Sequence, residues 1–253
     1  MRRSWIAAAA VAALVAFAHQ SASAYEILSP GSTVAGRTIA AWTAEWWTWV
    51  VQSPADANPI QDSTGALANQ NNSGPVFFVA GTGGGPATRS YSVPAGKPLL
   101  IPMVNIAWIG WPPDTQESAN AALDGWENTV TGLFASIDGV TVTNPKGYLE
   151  QSEFFSAGNA LAGTVATELF GAPAGAELSP SKSVGYWLMV AGLARGPHTL
   201  EFGGSTVDAE GTTTFSTSVR ASINLVPEPV SLLLVASAFL SLSAMRRRPE
   251  ALT

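Results

Sequence analysis

Hydrophobic and polar positions change period along this chain, and the changes mark out its elements. Thr38 to Gln52 (TIAAWTAEWWTWVVQ) repeats with a period near 3.6. Ile39, Trp42, Trp46, Trp49 and Val50 fall on one face, which predicts a Trp-rich helix over 38–52 that Pro54 ends. Asp114 to Val130 puts Ala119, Ala122, Leu123, Trp126 and Val130 on one face and predicts a second short helix near 114–130. Thr213 to Leu225 alternates instead. Phe215, Thr217, Val219, Ala221 and Ile223 share one side, the period of a half-buried strand.

Shorter apolar or β-branched runs between turn residues predict further strands: Val76 to Ala80, Thr88 to Val93, Lys97 to Asn105, Tyr148 to Phe155, Val184 to Ala191 and Thr199 to Phe202. Asp138-Gly139 between LFASI and VTV is a strong hairpin signal. Pro94-Ala95-Gly96 joins two of the strands by a turn, and Leu193 to Pro197 reads as the longer loop of another hairpin. Asn159 to Phe170 gives mixed signals, because Leu161, Val165 and Leu169 suit a helix while flanking glycines and Thr164 do not. Many short strands with Gly/Pro turns point to a mainly β fold. The expectation is a single β-sandwich, jelly-roll or Ig-like, over residues 25–225.

Both chain ends read differently. Arg2 and Arg3, the apolar run Trp5 to Phe17, and Ala22-Ser23-Ala24 form the three parts of a secretory signal peptide over 1–24, with cleavage after Ala24. At the other end, Val230 to Met245 holds no charge but is only ~24 Å long as a helix, at ~1.5 Å per residue. A bilayer core is ~30 Å thick, so this is a short transmembrane helix. Arg246, Arg247 and Arg248 follow it, which keeps that end cytoplasmic and the body outside. Pro227 and Pro229 cannot enter the helix interior, so Pro-Glu-Pro stands extended at the outer membrane face.

Val226-Pro227-Glu228-Pro229, a short apolar helix and Arg246-Arg247-Arg248, in that order over 226–253, resemble the PEP-CTERM sorting signal of Gram-negative bacteria. The resemblance implies an exosortase, a membrane cysteine protease-transpeptidase, as partner, with Pro227, Glu228 and Pro229 as its recognition site. It also implies transient anchoring in the inner membrane, a final place at the cell surface or outside the cell, and association with exopolysaccharide. Within the body, Glu45-Trp46-Trp47-Thr48-Trp49, Asp62-Ser63-Thr64-Gly65, Gly74 to Gly81 and Arg89 to Lys97 resemble a group of uncharacterised exported bacterial proteins. Many members carry a cysteine in the Asp-x-Thr-Gly loop and another just after the arginine, and this chain has neither. That likeness implies a shared fold and brings no activity with it.

Charge and composition narrow the chemistry. Setting aside Arg2, Arg3, Arg246, Arg247 and Arg248 with Glu228 and Glu250 leaves 7 basic and 16 acidic residues, a net charge of −9 for the body. An acidic body argues against nucleic acid and anionic polymers as partners and is compatible with neutral glycans or divalent cations. With no cysteine, packing alone must hold the body together, and thiol chemistry is excluded. His198 is the body's one histidine and no Gly-x-Ser-x-Gly elbow exists, so a serine-hydrolase triad is not indicated. Gly81-Thr82-Gly83-Gly84-Gly85 lacks the Gly-Lys-Ser/Thr ending of a phosphate loop and reads as a plain loop. The acidic pairs Asp114/Glu117, Glu150/Glu153 and Asp208/Glu210 read as solvated surface unless a cleft brings two of them together. No cofactor or metal site is indicated.

Tryptophan is the unusual signal. The body has eight, four of them in Trp42 to Trp49. Trp46 and Trp49 face the core by spacing, and Trp47 lies off that face. Trp108 and Trp111 (AWIGWPP) are expected in a loop, where aromatic faces either stack on sugar rings or cover the end of the fold. The reading is therefore an exported surface or extracellular-matrix protein, not an enzyme. A glycan-binding module of the same matrix is the alternative, and a polysaccharide-acting enzyme a more distant one.

Overall fold

The computed structural model describes residues 25–228. The signal peptide over 1–24, with Ala22 and Ala24, lies outside the described residues, as do Pro229, the span 230–245 and Arg246 to Arg248. In chain order the strands are β1 (Glu26–Ile27), β2 (Thr33–Val34), β3 (Arg37–Thr38), β4 (Phe77–Phe78), β5 (Gly85–Pro94), β6 (Leu99–Ile109), β7 (Val130–Ile137), β8 (Val140–Thr141), β9 (Leu149–Gln151), β10 (Ser181–Ala191), β11 (Gly196–Val207) and β12 (Thr213–Val226). The helices are α1 (Ile39–Gln52), α2 (Gln116–Leu123) and α3 (Val165–Glu168).

The Trp-rich helix forms where its period says. The Thr38 side chain caps it by accepting from Ala41 N–H at 3.2 Å, and Ser53 closes it before Pro54. Ile39, Trp42, Trp46, Trp49 and Val50 are all buried. The indole N–H groups of Trp42, Trp46 and Trp49 donate to the carbonyls of Val34, Val79 and Gln70 at 2.8, 2.9 and 2.8 Å. Each of these three buried rings thus has its one polar atom satisfied.

The fold is mainly β, with two five-stranded sheets packed on one another. The first runs β1-β10-β6-β4, with β9 also paired to β10; the second runs β5-β12-β11-β7-β8. Leu99, Ile101, Leu188 and Val190 from the first sheet and Leu200, Phe202, Val219 and Ala221 from the second fill the space between them. The first sheet has a second apolar layer on its outer side. There α1 packs Trp42, Trp46 and Trp49 against Leu100, Trp187 and Met189, and Trp46 meets Trp187 edge-on at 5.3 Å. The outer side of the second sheet faces water, so along β12 Thr217, Val219, Ala221, Ile223 and Leu225 are buried while the residues between them are exposed. Two pairings are parallel, β12 with β5 and β4 with β6.

Several expectations need correction. The second helix ends at Leu123, because Gly125 takes φ 71° and Trp126–Thr129 continues as a separate turn of 3-10 helix. Ala122, assigned to its buried face, is exposed. Of Val76 to Ala80 only Phe77–Phe78 forms strand. The strands flanking Leu193 to Pro197 do not pair as a hairpin: β10 belongs to the first sheet and β11 to the second, so the loop is an arch between sheets. Pro94-Ala95-Gly96 likewise carries the chain from β5 in one sheet to β6 in the other. The Asp138-Gly139 hairpin forms, with both residues at positive φ (52° and 78°) between Ile137 and Val140. The ambiguous stretch 159–170 contains only the single turn α3.

Candidate functional site

A pocket of about 310 Å³ opens at a fault in the first sheet, lined by α1 on one side and by Phe215 and Thr217 of β12, in the second sheet, on the other. Across the β10–β6 ladder, Trp187 pairs with Pro102 and Tyr186 with Val104, so Met103 is an extra residue. Such a bulge bends the strand and re-aims the side chains that follow it. Ahead of it Leu99, Ile101 and Met103 pack between the sheets while Leu100 packs under α1. After it Val104 packs inward and Ala107 and Ile109 face outward. Pro102, Met103, Val104 and Asn105 all line the pocket, so the bulge is its floor.

Five other segments build the walls, among them Phe215 and Thr217 of β12. Trp46 and Trp47 come from α1, Leu169 and Phe170 from the turn after α3, and Ile60, Gln61, Gly81, Thr82 and Gly83 from two loops. Trp47 and Phe170 meet at 89° with ring centroids 6.4 Å apart, an aromatic corner. Trp47 Nε1 is buried and has no hydrogen-bond partner among the described residues. An orphaned buried donor costs about 1–3 kcal/mol, in contrast to the three satisfied tryptophans of the same helix. Phe170 and Leu169 at the rim remain 37% and 53% exposed, a large apolar lip for a surface turn. Thr82 Oγ1 and Thr217 Oγ1 pair at 2.8 Å where the loop crosses to β12. Among the described residues, no acidic, basic or histidine side chain lines the pocket.

The loops are held from behind by a buried cation. Arg89, on β5, is 3% exposed. Its guanidinium donates to the carbonyls of Asp62 at 2.7 Å, Gly81 at 2.9 Å and Ala80, with Ile60 at 3.5 Å. Burial pushes its pKa below the ordinary value, and the Tyr91 and Asp62 charges work the other way. The fixed fork of guanidinium donors suits several carbonyls at once. Asp62 tightens the same loop by accepting from Thr64 N–H and Leu67 N–H, both at 2.8 Å, and from the Thr64 hydroxyl at 2.6 Å. Burial opposes its ionisation, but hydrogen bonds from Leu67, Thr64 and Gly65 outweigh that and hold the carboxyl at about 2. Ser90 N–H donates to Thr64 O at 2.8 Å, so the Asp62 to Gly65 and Arg89 segments meet as one structural unit.

The residues singled out from sequence fall elsewhere. Trp108 lies in β6 and not in a loop, half-buried, with Nε1 buried and unpartnered among the described residues. Trp111 follows the strand and packs against the cluster of Val51 and Ile109. Three residues apart near a strand puts them on opposite sides of the sheet, so they do not form one platform. His198 bridges Asp138 Oδ2 at 2.7 Å and the Ala194 carbonyl at 2.9 Å, at the arch between the sheets. Asp114 accepts from Trp111 N–H at 3.2 Å, and Asp208 accepts from Glu210 and Thr212 N–H in the β11–β12 turn. Glu150, on β9, is buried and accepts from Gly31 N–H at 2.9 Å, and burial raises its pKa, while Glu153, two residues beyond that strand, is exposed. None of the three acidic pairs converges across a cleft, and among the described residues no cluster of three or more metal-ligating side chains occurs. Val226 is the last paired residue of β12, opposite Pro94, and Glu228 lies 3.5 Å from Lys97.

Sequence reasoning missed Gln61, Asn105, Phe170 and Phe215 as lining and Arg89 as their support. The Gly81 to Gly85 loop, read as plain, forms part of the pocket wall. The signal that was available is Arg89 itself, a lone arginine set among serines on a strand whose neighbours alternate inward. Compared with known proteins, the chain matches no family model, no curated protein and no solved structure.

Proposed function

We propose that the chain is an exported surface or extracellular-matrix protein, delivered by the signal peptide over 1–24 and processed by an exosortase at the PEP-CTERM tail over 226–253. Its body, read as a single β-sandwich, performs no catalysis of its own. The inner membrane holds the tail transiently, and exopolysaccharide is the material it accompanies. The observation that carries this reading is the tail itself: Val226-Pro227-Glu228-Pro229, an uncharged span and three arginines, in order. It is supported by how the body ends. β12 runs to Val226, whose carbonyl accepts from Ala95 N–H at 2.7 Å, and Pro227 stops the ladder at once. The motif thus begins where the packed body stops, with no linker between.

The test is mass spectrometry of the mature protein from its own cells. The expected chain starts near Tyr25 and lacks residues 230–245. Recovery of an intact Arg246-Arg247-Arg248 peptide from the extracellular form overturns the reading. The second reading, a glycan-binding module in the same matrix, is favoured by one observation, the uncharged aromatic pocket under α1. Trp108 and Trp111 no longer carry it, since they lie on opposite sides of the sheet.

A further inference from the structure

We infer that the pocket between α1 and the β6 bulge binds one neutral sugar residue of a glycan. The inference rests on the glycan-binding reading and is independent of the sorting tail. Four features select this ligand. The walls carry no ionisable side chain, so an anionic sugar such as a uronic acid would lose its hydration and gain no counter-charge. Trp47 and Phe170 make a perpendicular corner, and a pyranose ring presents C–H groups on one face that suit such an apolar surface. The side-chain amides of Gln61 and Asn105 stand along the walls, where a sugar's rim of hydroxyls needs both donors and acceptors. A volume of about 310 Å³ is at the small end of ligand pockets, ~300–1,000 Å³, which fits one residue and not a long strand of polymer.

The surroundings fit a site that is made in advance. Arg89 ties down the carbonyls of Ile60, Ala80 and Gly81, next to the lining residues Gln61 and Thr82. Holding those loops before a ligand arrives lowers the ordering cost of binding. An aliphatic chain is the competing occupant of an aromatic pocket, but it would cover the part-buried Asn105 amide without giving it a partner. One sugar stacked in one pocket gives weak binding per copy, and many copies in a matrix would supply the avidity.

The experiment uses protein produced from the full-length chain and purified from its producing cells. Methyl glycosides of glucose, galactose, mannose and N-acetylglucosamine are titrated by tryptophan fluorescence and by saturation-transfer NMR. Glucuronic acid and n-decanol serve as the charged and aliphatic probes. Phe170→Ala and Gln61→Ala are the variants, because both positions are at the rim and removing either side chain spares the core; unchanged melting temperatures verify this. At least one neutral glycoside should bind, and each variant should weaken it tenfold or more. Binding that neither variant alters would overturn the pocket assignment and leave the glycan-binding reading standing. Binding of no glycoside, or of n-decanol alone, would overturn both. Tighter binding of glucuronic acid than of any neutral glycoside would refute the neutral-ligand claim.

Discussion

The two sheets have equal strand counts but unlike surroundings. Nearly every residue of β10 and the first six of β6 are buried, because the second sheet covers one face and α1 covers the other. β12, central in the second sheet, is buried at alternate positions only, because its outer face meets water. The pocket lies where the Met103 bulge faults the doubly covered sheet, between α1 and the Phe215 and Thr217 side chains of β12.

The largest expected effect tests that double cover. Trp46→Ala removes a side chain that is 2% exposed and stands between α1 and Trp187. It should cost about 3–5 kcal/mol in urea unfolding, the usual range for emptying an aromatic core site. A cost under about 1 kcal/mol would mean that the helix is an ornament on a one-faced sheet. Arg89→Met comes next. It leaves the Ala80, Gly81 and Asp62 carbonyls without their donor and should cost about 2 kcal/mol. Arg89→Lys should recover only part of this, since a single ammonium cannot reach every carbonyl of the fork.

Asp62 should contribute less, about 1 kcal/mol after screening by solvent at this partly exposed site. The sign follows from a folded pKa of about 2 against ~3.9 for a free aspartate. Stability from this group is present above pH ~4 and is lost as the pH falls toward 2. An acid titration of Asp62→Asn beside the parent should show the difference closing over that interval, and a constant difference would contradict the hydrogen-bonded loop. Smallest of all is Ser222→Ala on the water-facing side of β12, opposite Thr199. It should stay within about 0.5 kcal/mol. A larger loss would show that the second sheet is covered on its outer face after all.

The same contrast explains what could be read from sequence. β12 was legible residue by residue, since a half-wet strand writes its period into the chain: Thr217, Val219, Ala221 and Ile223 are buried as the alternation predicts. The helix α1 was legible for the same reason, with period 3.6 in place of 2. β6 was not, because a strand covered on both faces shows no alternation. Its expected end at Asn105 falls short of Ile109, which is how Trp108 came to be assigned to a loop. Turn chemistry at Pro94-Ala95-Gly96 and Leu193 to Pro197 marked where the chain bends, but glycine and proline say nothing about which sheet the next strand joins. The pocket was least legible. Trp47, Gln61, Asn105 and Phe170 come from four separate segments, and nothing local in any of them shows that a bulge at Met103 brings them together.

Hydrogen exchange read by mass spectrometry tests most directly whether α1 is an integral cover of the first sheet. If it is, amides of α1 (39–52) and of the β10 centre (184–190) lose protection together, in the slowest class and with the same response to urea. Loss of protection in α1 at low urea while β10 stays protected would contradict it: the outer face would then need no helix, and the pocket beneath it would have no fixed roof.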